Sequence, residues 1–89
     1  MGKVNWTDYL RYRSHLRGFE PLIVEQIVLF SEERYFDSST QRMVAVGRHG
    51  AELVVIPYEQ DGETFTPVTV HATTRQQINF RLSTGRFKP

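Results

Sequence analysis

No cysteine occurs among the 89 residues. That excludes a disulfide framework and thiolate metal sites, and it is the usage expected in a reducing compartment. Long hydrophobic runs are also missing. Uninterrupted apolar stretches such as Leu22–Val24 and Ile27–Phe30 are far too short to span a bilayer. The opening Met1-Gly2-Lys3-Val4-Asn5-Trp6 has no apolar core of the kind a secretory signal needs, so the expectation is a cytoplasmic protein without a membrane partner. Repeats, low-complexity tracts and Pro/Gly/Ser-rich linkers are lacking too, which points to a single domain over residues 1–89. His15, His49 and His71 are far apart, and none sits at ligand spacing from a carboxylate or another histidine. With no phosphate loop, dinucleotide fingerprint or nucleophile elbow, neither a metal nor a cofactor is expected.

What is present suits a small folded domain. Apolar residues make up 39% and charged residues 24%, a balance that excludes a disordered tail and can supply one core. The net charge is only +1, but its distribution is uneven. Lys3, Arg11, Arg13 and Arg17 face a single acid, Asp8, in residues 1–17. Nine acids outnumber Arg34, Arg42 and Arg48 in residues 18–64. Arg75, Arg81, Arg86 and Lys88 stand without any acid in residues 65–89. Basic ends around an acidic middle fit two arrangements equally well: a basic face for a polyanion, or ends that pair with the middle inside the fold. If the first and last helices lie close together, the two basic ends form one face.

Periodicity divides the chain in two. Thr7-Asp8 starts a first helix, with a capping hydroxyl and an acid in the first turn, and Gly18 ends it. Trp6, Tyr9, Tyr12, Leu16 and Phe19 form its expected apolar stripe, and Arg11 and His15 project from the far side. Arg13 falls within that stripe and must snorkel, pair with an acid or point at something functional. Glu20-Pro21 opens a second helix, in which Ile23, Ile27 and Phe30 recur at helical spacing. From Glu33 the pattern changes to four strands, over 34–37, 41–47, 52–58 and 65–72, separated by Ser38-Ser39-Thr40, Gly47-Arg48-His49-Gly50 and Gln60-Asp61-Gly62-Glu63. Pro57 and Pro67 lack a donor and should lie at a strand end, an edge or a bulge. Thr73-x-x-Gln76 and Thr74-x-x-Gln77 are capping-box spacings for a third helix closed by Gly85. The expected fold is α+β in the order α-α-β-β-β-β-α, with helices on one face of a four-stranded antiparallel sheet.

One segment concentrates chemistry. His71 lies at a strand end, a helix N-terminus follows, and Arg75 and Arg81 are on that helix. Helix N-termini and guanidinium forks both suit phosphate, and histidine exchanges protons near neutrality. Metal-free cleavage of RNA needs such groups: a base for the ribose 2′-hydroxyl and cations for charge developing on phosphorus. The candidate catalytic residues are therefore His71, Arg75 and Arg81. Arg86, Lys88, Arg11 and His15 are candidate RNA contacts. Each also has a structural reading: a hydrogen-bonded strand-end histidine, a solvated basic face, glutamines that only cap a helix.

The element order and two local patterns resemble a known family. Arg13-Ser14-His15-Leu16-Arg17-Gly18-Phe19 looks like the end of the first helix of BrnT-like proteins in the RelE/ParE toxin superfamily. The run Met43–Gly47, then Leu53–Ile56, then Val68–Arg75 is similar to the three strands leading to that family's C-terminal helix. The resemblance covers most of residues 9–82. It implies a RelE-like α+β fold, a bacterial type II toxin–antitoxin context, mRNA cleavage with or without the ribosome, and an antitoxin partner. The chain departs from the pattern at His71, where relatives usually carry arginine, at Gln77, where they carry glutamate, and at Tyr9, where they often carry histidine. Three readings follow: a toxin-like RNA-binding protein acting as a metal-free endoribonuclease, a non-catalytic module that binds a protein or nucleic acid, and a homo-oligomer with a structural or regulatory role.

Overall fold

The computed structural model describes residues 2–89. Ten elements follow one another: β1 (Lys3–Val4), α1 (Asp8–Arg17), α2 (Pro21–Phe30), β2 (Glu33–Asp37), β3 (Arg42–His49), β4 (Glu52–Asp61), β5 (Thr64–Pro67), β6 (His71–Thr73), α3 (Arg75–Ser83) and β7 (Phe87–Lys88). The helix ends follow from local chemistry. Thr7 Oγ1 accepts the Leu10 N–H at 3.1 Å and Thr74 Oγ1 accepts the Gln77 N–H at 3.1 Å. Pro21 opens α2, and Gly18 closes α1 in the left-handed region at φ 72°.

The sheet runs β1-β5-β4-β3-β2-β7, with β6 also pairing on β4. It is mixed, because β1 pairs parallel to β5 while the other ladders are antiparallel. Both faces are covered. Along β4 the alternation sends Val54, Ile56 and Tyr58 into one core with Phe19, Val24, Ile27, Val28, Ala45 and Val70. Leu53 and Val55 go into a second core with Val44, Val46, Ile78 and Phe87. The first core lies under α2, the second under α3.

Five expectations are corrected. The sheet is neither four-stranded nor wholly antiparallel: Lys3–Val4 and Phe87–Lys88 add short edge strands that two-residue patterns do not reveal. The helices do not share a face. Apolar residues at both parities of β3 and β4 need two covers, and Ile78 anchors α3 over the second. The expected strand 65–72 is two strands. The expected stripe on α1 is mostly exposed: Tyr9, Tyr12 and Leu16 face solvent, and Leu10 and Ser14, one turn apart, are buried instead. The hairpin after β3 is also tighter than expected, since β3 continues to His49, which pairs with Glu52 across Gly50-Ala51.

The split of 65–72 has a consequence for His71. Tyr58 pairs with Pro67, and Val55 pairs with His71. Between these two pairs β4 advances three residues while the neighbouring segment advances four. The extra residue is a bulge. Without it Val70 would oppose Val55, and His71 would oppose Val54 on the other face. The bulge thus places Val70 in the first core and turns His71 toward the α3 side. Pro57 lies at the same break, mid-strand in β4. Its carbonyl accepts the Val68 N–H at 2.8 Å, so its missing donor falls where the ladder passes from β5 to β6.

Candidate phosphate site on the α3 face

α3 has nine residues, about 14 Å of helix, and β4 beneath it has ten, about 33 Å of strand. The helix therefore leaves part of the sheet face bare. There a cavity of about 350 Å³ has an apolar floor of Val44, Val55, Pro57 and Val68. Its walls carry three guanidinium groups, Arg42, Arg81 and Arg86, and the His71 imidazole, with Asp37, Thr40 and Thr69.

The groups are held differently. Arg86 is fixed, because its Nε and NH2 donate to the two carboxylate oxygens of Asp37 at 3.1 Å each. The Asp37 side chain is only 5% exposed, whereas that of Arg86 is 39% exposed. Burial alone would raise the Asp37 carboxyl, but hydrogen bonds from Arg86 and the backbone of Ser39 and Thr40 outweigh it and hold the carboxyl below its usual range. Arg81 lies over the Phe87 ring, 5.4 Å from its centroid. Arg42 Nε is 3.5 Å from a Glu59 carboxylate oxygen but lacks hydrogen-bond geometry, and Thr69 Oγ1 is buried without a hydrogen-bond partner among the described residues.

His71 is within reach of charges from both α1 and α3. Burial lowers its pKa, and Arg17, Arg13 and Arg81 lower it further. The imidazole is thus held neutral at pH 7. Arg17 NH1 lies 3.5 Å from Nδ1. A guanidinium only donates, so Nδ1 presents the lone pair and Nε2 carries the hydrogen.

Of the residues singled out in the sequence, the structure brings His71, Arg81 and Arg86 together in this cavity. It does not bring Arg75 there. Arg75 makes a bidentate pair with Glu33, whose carboxyl is held low chiefly by that hydrogen bond. Nor do Arg11, His15 and Lys88 line it: Arg11 lies over the Trp6 ring at 5.7 Å, His15 is exposed on α1, and Lys88 is exposed on β7. The basic ends are used in two ways. Arg75 and Arg86 pair with the acidic middle, while Arg13 and Arg17 from one end and Arg81 from the other converge on His71. Arg42, Thr69 and Asp37 had not been singled out. A period-two reading would have put Arg42 beside Val44 and Val46 on one face; nothing local marks Thr69 or Asp37.

Among the described residues there is no cluster of three or more His, Cys, Asp or Glu able to hold a metal ion, and no helix long and apolar enough to cross a membrane. Comparison with protein-family models, curated proteins and solved structures returned no match.

Proposed function

We propose that the protein is a toxin-like RNA-binding protein and a metal-free endoribonuclease of the kind the sequence resemblance implies. The observation that carries this reading is the convergence of His71, Arg42, Arg81 and Arg86 on one cavity, with the imidazole held neutral. Guanidinium groups neutralise a phosphodiester, and a neutral imidazole takes a proton. In this reading the 2′-hydroxyl displaces the Arg17 N–H from Nδ1 of His71, and Nδ1 accepts its proton. The 2′-oxygen then bonds to phosphorus and the bond to the 5′-oxygen breaks. A 2′,3′-cyclic phosphate is left, and the departing oxygen takes a proton from solvent. Arg81 and Arg86 face the charge that develops on the phosphoryl oxygens.

A protein partner, an antitoxin under the resemblance or a second copy of the chain, is favoured by a separate observation. Tyr9, Tyr12 and Leu16 form an apolar strip along the outside of α1, at 57%, 61% and 61% exposure. Light scattering distinguishes self-association from a monomer awaiting a different partner.

The catalytic reading is tested by inducing the chain in a bacterium and mapping RNA ends. Wild type should arrest growth and leave cyclic-phosphate ends. His71→Ala and Arg81→Ala should each cut cleavage by about 100-fold or more. Purified wild type that leaves RNA intact while still binding it, with steep salt dependence, would end the enzymatic reading and favour the non-catalytic module.

A further inference from the structure

A second concavity, of about 490 Å³, runs along the outer side of α3 and is lined by Gln76, Gln77, Phe80, Arg81, Thr84 and Arg86. Arg81 and Arg86 line both concavities, so the two are neighbours across a pair of guanidinium groups. Gln76, Phe80 and Thr84 recur every fourth residue and share one helix face. Phe80 is 66% exposed there, with no apolar neighbour lining the groove. Gln77 is held, since its Oε1 accepts from Thr73 Oγ1 at 3.1 Å, which leaves its amide hydrogens for other acceptors. The Gln76 carboxamide has no partner among the described residues, so both its donor and its acceptor are available.

We propose that this groove is a nucleobase subsite, in which a base of single-stranded RNA stacks on Phe80 and is read along its edge by Gln76, with adenine preferred. The proposal rests on the reading of the neighbouring cavity as an RNA phosphate site. Three features combine. An aromatic face is a platform for any base. A carboxamide matches the adjacent donor and acceptor of adenine bidentately. The shared arginines place a phosphate next to the stacked base, as a nucleotide requires.

The test is fluorescence anisotropy with labelled 2′-O-methyl pentaribonucleotides that differ only in the central base, which removes cleavage from the measurement. The adenine oligomer should bind about tenfold more tightly than the uracil one. Phe80→Ala should weaken adenine binding about tenfold and Phe80→Trp should retain it. Gln76→Ala should erase the preference among bases and leave the salt slope unchanged, because it touches no phosphate. Equal binding of all four oligomers, or a Phe80→Ala variant that binds as wild type, overturns the base subsite while leaving the phosphate cavity standing. Failure of wild type to bind any oligomer overturns both.

Discussion

Removal of the Asp37 carboxylate is the sharpest test of how the site is built into the fold. The side chain is 5% exposed and accepts from Arg86 and from the Ser39 backbone N–H. Breaking a fully buried pair costs about 3–5 kcal/mol. Here Arg86 is 39% exposed, so its orphaned guanidinium reaches water and the cost of Asp37→Ala drops to about 2 kcal/mol. For a chain of this size that lowers Tm by roughly 8–16 °C. The pH dependence gives a second reading. The native pKa of Asp37 is depressed, so its contribution is fully present above the unfolded value of about 4 and is lost as pH falls through the native value. Urea unfolding of wild type and Asp37→Ala should therefore differ at pH 7, and the gap should narrow toward the acid end, below the unfolded value of about 4. An identical gap at both ends would show that the pair does not stabilise the fold through its charge. A gap below about 0.5 kcal/mol at pH 7 would show that Arg86 is not anchored by it.

Other outcomes follow from the same geometry. The His71 pKa, followed by NMR of its ring protons, should lie below the ordinary value of about 6.5 and rise in Arg17→Ala and Arg13→Ala, which remove like charge; unchanged titration in both variants would refute the convergence on His71. The acid limb of any pH–rate profile should accordingly fall below pH of about 6.5 in wild type. RNA binding should weaken in Arg81→Ala and Arg42→Ala, each lowering the salt slope by about 0.7, whereas Arg75→Ala, outside the cavity, should leave the slope unchanged. Ile78→Ala should cost about 2–5 kcal/mol, because Ile78 is fully buried and is the main apolar anchor of α3; calorimetry checks this. Gly47→Ala should destabilise by about 1–3 kcal/mol in urea unfolding, since its Cβ would come 2.8 Å from two carbons of Ile27.

How much of this could be read from the sequence depended on how local the cause was. Each helix start was legible, because a capping hydroxyl or a proline at the first position acts within one turn. The strand-rich middle was legible from its β-branched content. The apolar face of α1 was not. Periodicity offered Tyr9, Tyr12 and Leu16, and the fold buried Leu10 and Ser14 instead, a choice between helix faces that only long-range packing makes. His71 and Arg81 were legible as candidates by residue type, yet Arg75 was equally plausible until its pairing with Glu33 was visible. That pairing spans 42 positions, beyond the reach of any local pattern.

The lack of cysteine and of long apolar runs determined, by itself, a fold held by packed cores with no disulfide or thiolate metal site. The sequence also determined where helices give way to strands, and that basic residues gather at both ends of the chain. Only the tertiary structure decided which face each residue occupies. A single inserted residue between β5 and β6 sends His71 to one side of the sheet and Val70 to the other. A nine-residue helix, shorter than the strand it covers, leaves the bare patch that becomes the cavity. Side-chain type is set by position in the sequence, but the chemistry of a site depends on distances between residues far apart along the chain, and those arise only when the two cores form.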